Sequence, residues 1–162
     1  MKRGGWLKRR TPLKARSWDR HKTDPNDVLY SKIIRFGQDL CWRCNKVRRL
    51  EAAHIMGRRH HSTRFMLDPV VNAIPLCGYC HRKWFDRKKM DRLLWDPKAR
   101  VFTAEDESYT FLVEKCGYTW AQLELLYIKH RNVSHYGPLE KAAIRQELEG
   151  VLARLQSKGE SQ

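Results

Sequence analysis

Residues 41–81 read CWRCNKVRRLEAAHIMGRRHHSTRFMLDPVVNAIPLCGYCH, and this stretch decides the fold. Two Cys-x-x-Cys pairs, Cys41/Cys44 and Cys77/Cys80, have the pairwise spacing of a structural tetrahedral zinc site. The interval between them, residues 45–76, is longer than in an ordinary zinc ribbon, so something is folded inside it. The inserted piece carries His54 and Asn72, and His81 follows the last cysteine directly.

Within the stretch, LEAAH reads as a strand that Gly57 ends, with Leu50 and Ala52 on the same face as His54. Residues 58–71 form a polar, basic loop. Residues 72–76 lead into the second knuckle as a short or edge strand, because Pro75 cannot donate to a central ladder. A helix is expected from about Cys80 through HRKWFDRKKMDRLLW to Pro97, burying Trp84, Phe85, Met90, Leu93 and Leu94. Adjacent helical residues point about 100° apart. Cys80 can then face the zinc while His81 faces a cleft, with His54 on the opposite wall. Strand, strand and helix make a ββα unit.

Upstream, Asp24-Pro25-Asn26-Asp27 is a cap signal for a helix with Val28, Leu29, Ile33, Ile34 and Phe36 as its apolar residues and Gly37 as its stop. This helix is expected beneath the first knuckle. Residues 1–23 have no sustained period and carry Gly4, Gly5 and Pro12 among cations, the composition of a disordered arm. Lys8, Arg9 and Arg10 suit phosphate contact there, and Trp6 and Trp18 can stack on bases or anchor the arm on the core. Downstream, Thr103-Ala-Glu-Asp starts a helix that Cys116-Gly117 stops, Thr119 opens another, and Gly137-Pro138 opens a last one. Leu139, Ile144, Leu148, Val151, Leu152 and Leu155 lie near helical spacing in that last helix. Such helices are structural by default, with a homodimer or protein partner as the alternative use of an exposed stripe.

The formal charge is +15 at pH 7, and it is uneven: +8 over residues 1–22, +4 over 23–80, +5 over 81–100 and −2 over 101–162. Positive charge in the arm and around the cysteines points to a polyanionic partner rather than a small acidic substrate. The basic start lacks the apolar segment of a signal peptide, and no apolar run approaches the ~18 residues of a membrane span. The chain therefore reads as a soluble cytoplasmic protein whose CxxC pairs hold metal rather than disulfides, leaving Cys116 as a packed thiol.

Hydrolysis of a phosphodiester needs a base to deprotonate water, a cation to neutralise developing charge, and a group to hold the base in line. His54, His81 and Asn72 can fill these roles. At Cys41-Trp-Arg-Cys44, Leu50-Glu-Ala-Ala-His54-Ile55, Asn72 and Leu76-Cys-Gly-Tyr-Cys-His81 the chain resembles the HNH, or ββα-metal, endonucleases braced by two CxxC knuckles. The phrase AAHIMGRRHHSTRFMLDPVVNAIPLCGYCHRKW is also similar to phage recombination proteins of the NinG type and the recombination-enhancement nucleases. The likeness covers residues 24–90 or so and says nothing of 101–162.

The resemblance implies an α+β fold: a zinc-braced ββα-metal core at 24–100, a disordered basic arm at 1–23, a helical C-terminal extension at 101–156 and a tail at 157–162. It implies a DNA endonuclease, phage-encoded and acting in recombination, replication or packaging, with His54 as general base. His81 would bind a catalytic Mg²⁺ or Mn²⁺, Asn72 would steady the loop, and Cys41, Cys44, Cys77 and Cys80 would hold structural Zn²⁺. Arg58, Arg59 and Arg64 beside the cleft are candidates for phosphate contact, or a solvated loop.

The chain departs from the family at one point. The family often has Asp or His before the base as a second metal ligand, and here that residue is Ala53, with Glu51, His60 and His61 as candidate substitutes. Other readings stay open: His81 as a zinc ligand in place of Cys80, His54 as a packed strand histidine, Asn72 as a turn residue. For the whole chain the alternative is a noncatalytic zinc-ribbon nucleic-acid-binding protein.

Overall fold

The structure, a computed structural model, describes residues 24–58, 61–87, 94–96, 101–103, 107–131 and 135–159. The basic arm with Lys8, Arg9 and Arg10, and also Arg59, His60, Met90 and Leu93, lie outside the described residues.

Helix α1 (Pro25–Arg35) begins at the expected cap. Asp24 Oδ1 accepts the Asn26 N–H at 3.0 Å, and Pro25 fills an opening position that needs no N–H. Gly37, with φ of +65°, turns the chain away in a conformation that suits glycine. Strands β1 (Leu50–His54) and β2 (Ala73–Cys77) pair antiparallel from Leu50↔Cys77 to His54↔Ala73. β1 thus ends at His54 rather than at Gly57. Pro75 sits opposite Ala52 with its carbonyl turned outward, accepting the Trp42 N–H at 3.2 Å. Backbone groups alternate in direction along an antiparallel pair, so the missing Pro75 N–H leaves the ladder intact.

The sheet is covered on both faces. Ala53, Ile74 and Leu76 join the larger core with Cys41, Cys77, Cys80 and Phe85, closed by Leu112 of α3 (Glu107–Glu114) and by Leu123 and Leu126 of α4 (Trp120–Arg131). Ala52 and Ala73 face a smaller core formed by Tyr30 and Ile33 of α1 and Leu148 of α5 (Pro138–Gly159). Helix α1 therefore lies over the sheet and against α5, not beneath the first knuckle. Past its C-terminus the chain meets that knuckle, where Trp42 Nε1 donates to Gln38 Oε1 at 2.9 Å.

Three expectations for the later chain need correction. Among the described residues, the span expected as a helix from Cys80 to Pro97 holds one π-helical turn (Cys80–Trp84) and a 3-10 turn (Phe85–Arg87), and Leu94 lies in a strand. That strand, β3 (Leu94–Asp96), pairs antiparallel with β4 (Val101–Thr103). Trp95, Val101, Phe102 and Thr103 favour strands, and Asp96-Pro97 is turn chemistry that also resembles a helix stop. α5 continues to Gly159, past the expected start of the tail, and its Leu139 is 87% exposed while Ile144, Val151, Leu152 and Leu155 pack. The loop between β1 and β2 contains a further short helix, α2 (His61–Arg64). The caps of α4 and α5 follow the sequence signals. The Thr119 hydroxyl and the Gln122 side chain each bond the other's backbone N–H, and the Gly137 N–H donates to Glu140. No described helix is long and apolar enough to cross a membrane.

Tyr30 is the residue of α1 on which the smaller core turns. It is fully buried, stacks on His54 with ring centroids 5.4 Å apart, meets Phe65 edge-on and donates its hydroxyl to the Met66 carbonyl at 3.0 Å. That carbonyl also accepts the Asn72 N–H at 3.0 Å, so it keeps a partner if the hydroxyl is removed. Tyr30→Phe is expected to cost about 1 kcal/mol and Tyr30→Ala about 3–5 kcal/mol in denaturant unfolding of the metal-loaded protein. Equal losses in the two variants would show that the hydroxyl, not ring packing, dominates.

Candidate active site and metal centre

The first knuckle turns at Asn45, whose φ is +55° and whose N–H donates to the Cys41 carbonyl at 2.8 Å. Cys77 ends β2 and Cys80 opens the π-helical turn, so strand and turn together aim the second pair at the first. The four sulfurs lie within 4.8 Å of one another, with Cys44 and Cys77 at 3.9 Å. Tetrahedral ligands about 2.3 Å from a zinc ion would be roughly 3.8 Å apart, so the set fits.

Electrostatics divide the thiols. Burial opposes ionisation of Cys41, but the N–H groups of Cys44, Cys77 and Arg43 outweigh it and lower that thiol to about 7. Burial pushes Cys80 up to about 12; the neighbouring thiols add to this, while the Arg43 guanidinium, 3.7 Å away, opposes it. Four thiolates this close need a cation among them. The cysteines can therefore hold a structural metal ion, and the soft all-sulfur set suits zinc. His81 stands outside the group, which answers the question of whether it replaces Cys80. Cys116 also stands outside; it packs against the core, and burial pushes its thiol up to about 12.

A cavity of about 520 Å³ opens between α1, β1 and the π-helical turn. His54 and His81 both line it, as do Leu50, Glu51 and Ala52 of β1. Nε2 of His54 lies 3.2 Å from the Arg64 carbonyl. A carbonyl only accepts, so Nε2 carries the proton and the neutral ring has its lone pair on Nδ1. His54 is thus packed, as one reading allowed, and also oriented. Nδ1 of His81 lies 2.8 Å from Glu51 Oε2, and Nε2 lies 3.5 Å from Asp86 Oδ1. Glu51 also reaches Arg82 at 3.4 Å, and Gly78 makes room for that pair: a Cβ there would be 2.5 Å from Arg82 Nη2.

Asn72 does not line the cavity. It is fully buried, its Oδ1 accepts the Met56 N–H at 2.7 Å, and its Nδ2 donates to the carbonyls of Met56 (3.3 Å) and Thr63 (2.8 Å). The amide fastens the end of β1 to α2, and Arg64, at the end of α2, supplies the carbonyl that meets His54. Asn72 is therefore more than a turn residue, and it acts on His54 through the loop. Arg64 is not a solvated loop cation. Its guanidinium grips Asp27 through Nε at 3.0 Å and Nη2, which raises its pKa further. Arg58 is exposed on the cavity rim, 4.0 Å from Asp27. His61 lies in α2.

Sequence reading missed Arg35, Arg49, Arg82 and Asp86, which also line the cavity. The only available signal was their closeness in sequence to α1, β1 and Cys80. Compared with family models, characterised proteins and solved structures, the chain finds no match in any of the three.

A strong chelator or any single Cys→Ser change at 41, 44, 77 or 80 is expected to release one zinc per chain and unfold the core. The apparent stabilisation at stake is roughly 10–16 kcal/mol in zinc-finger peptides. Metal analysis with circular dichroism reads both, and a fold that survives metal loss would exclude the structural role. Asn72→Asp keeps the size but points carboxylate oxygen at the carbonyls of Met56 and Thr63. Its folded-state pKa would rise above the ordinary ~3.9, so the aspartate is tolerated at low pH and penalised as pH rises. The deficit in melting temperature relative to the native chain is expected to grow from about pH 5 to pH 8; a constant deficit would mean that the amide donors are not needed.

Proposed function

We propose that this protein is a divalent-metal-dependent endonuclease of the HNH type acting on DNA. The observation that carries the reading is that His54 and His81 line one cavity, with His54 held so that Nδ1 is its basic nitrogen. In this reading His54 Nδ1 takes the proton of a water attacking the phosphorus, while the Arg64 carbonyl and the Tyr30 ring keep the imidazole from turning. Arg35, Arg49 and Arg58 on the walls and rim offer positive charge to flanking phosphates. His81 holds a Mg²⁺- or Mn²⁺-class cation, whose charge, when bound, favours the pentacoordinate phosphorus and the departing 3′-oxygen. The four-cysteine centre has no part in the chemistry beyond fixing where the π-helical turn begins. Phage recombination is the biological setting that the sequence resemblance brings with it.

The test is cleavage of linear duplex, single-stranded DNA, a four-way junction and RNA with Mg²⁺, Mn²⁺ or EDTA, comparing the native chain with His54→Ala. Expected are EDTA-sensitive cuts and a loss of at least about 100-fold in His54→Ala, the usual size of a general-base contribution, with zinc content and fold retained. Salt-sensitive binding to DNA without cutting under any cation would instead identify a noncatalytic zinc-ribbon binding protein. Undiminished cleavage by His54→Ala would remove His54 as the base.

A further inference from the structure

We infer that Asp86 is the second protein ligand of the cation held by His81, in the place left by Ala53, and that Glu51 positions His81 for it. The inference rests on the endonuclease reading above and supplies the ligand that reading lacks. It starts from the backbone. Five residues along an α-helix, side chains are about 140° apart, which would carry residue 86 away from residue 81. Here the Phe85 N–H is shared between the carbonyls of Cys80 and His81, the first of these being the i→i+5 bond of a π-helical turn, and Asp86 follows in the 3-10 turn. The π-helical turn running on into the 3-10 turn is not a regular α-helix, and both His81 and Asp86 line the cavity, 3.5 Å apart.

The atoms then decide the roles. Glu51 Oε2 is within 2.8 Å of His81 Nδ1, a short hydrogen bond in which the carboxylate can only accept. That bond puts a ring proton on Nδ1, so in the neutral ring Nε2 keeps its lone pair toward Asp86. Two acceptors facing each other gain nothing directly, and 3.5 Å is longer than the roughly 2.7–2.9 Å of a charge-assisted hydrogen bond. Neighbouring ligands held about 2.1 Å from one octahedral divalent ion lie roughly 3.0 Å apart, so a closing of about 0.5 Å, within the reach of a side-chain torsion, would seat both atoms on one ion. Glu51 does not suit the ligand role as well, since one oxygen is bonded to His81 and the other lies 3.4 Å from Arg82. A carboxylate on the far nitrogen of a metal-binding histidine is a positioning group.

Direct Mn²⁺ binding to the zinc-loaded full chain, followed by electron paramagnetic resonance of free Mn²⁺, tests this apart from activity. Asp86→Asn and His81→Ala are each expected to weaken Mn²⁺ binding at least 10-fold, and Glu51→Gln about 10-fold with the site still saturable. Asp86→Glu, which keeps a carboxylate, should bind more tightly than Asp86→Asn. Zinc content and circular dichroism should match the native chain throughout. Undiminished Mn²⁺ affinity in Asp86→Asn, or no Mn²⁺ binding by the native chain, overturns the inference. If Asp86→Asn retains native Mn²⁺ affinity and cuts DNA normally, Asp86 is excluded while the endonuclease reading stands. If Mn²⁺ binds through His81 and Asp86 but the native chain cuts nothing, the site stands and the endonuclease reading falls.

Discussion

Four cysteine sulfurs drawn within 4.8 Å of one another are the constraint on which the rest of the structure depends. They come from a knuckle just before β1 and from the junction between β2 and the π-helical turn, which lie at the same end of the antiparallel pair, so one ion would tie the two strands together there. The larger core gathers around that junction, with Cys41, Cys77 and Cys80 buried beside Leu50, Leu76 and Phe85. A two-stranded sheet is marginal by itself in water. Here it is held by a metal-binding cluster at one end and by helices on both faces, and the start of the π-helical turn is thereby set relative to β1. The distance between His81 and Glu51 follows from that placement.

The other wall of the cavity is fixed by neutral hydrogen bonds and one ion pair. The buried amide of Asn72 ties β1 to α2, the Arg64 carbonyl at the end of α2 meets His54, and the Arg64 side chain returns to Asp27 on α1. Asp27–Arg64 is only partly exposed and uses two of the three guanidinium nitrogens, so it is more than a screened surface pair. The ordering runs from sequence to site: an Asn that can both donate and accept, a loop that it closes, a backbone carbonyl that the loop presents, and a histidine tautomer that the carbonyl selects.

How much of this was legible follows from the range of each interaction. Cysteine spacing is local, and the metal-binding cluster emerges as read; along LEAAH the period of two is less clean, since Leu50 joins the larger core with Ala53 while Ala52 packs against the smaller one. The caps at Asp24, Thr119 and Gly137 are local too. Tyr30 against His54, and Asp27 against Arg64, join positions far apart in sequence, and neither tyrosine nor aspartate in a helix announces its partner. The helix expected after Cys80 failed for a different reason. HRKWFDRKK has helical composition, but the chain widens into a π-helical turn there, and single-residue propensities do not distinguish i→i+4 from i→i+5 bonding.

That widened turn also bears on the charge distribution. The chain as a whole is strongly cationic, yet the cavity wall is mixed: Asp27, Glu51 and Asp86 stand among Arg35, Arg49, Arg58 and Arg82. Net charge acts over a Debye length of about 8–10 Å and attracts a polyanion without selecting where it docks. The carboxylates act at contact distance. Asp27 is gripped by Arg64 and Glu51 lies between His81 and Arg82, so both hold other side chains in place. Asp86, in the 3-10 turn that follows, approaches His81 at Nε2, the other ring nitrogen from the one Glu51 bonds. In the proposed reading, attraction of a nucleic acid and organisation of the histidines thus belong to different groups, and the acidic residues sit where a purely phosphate-binding surface would have no use for them.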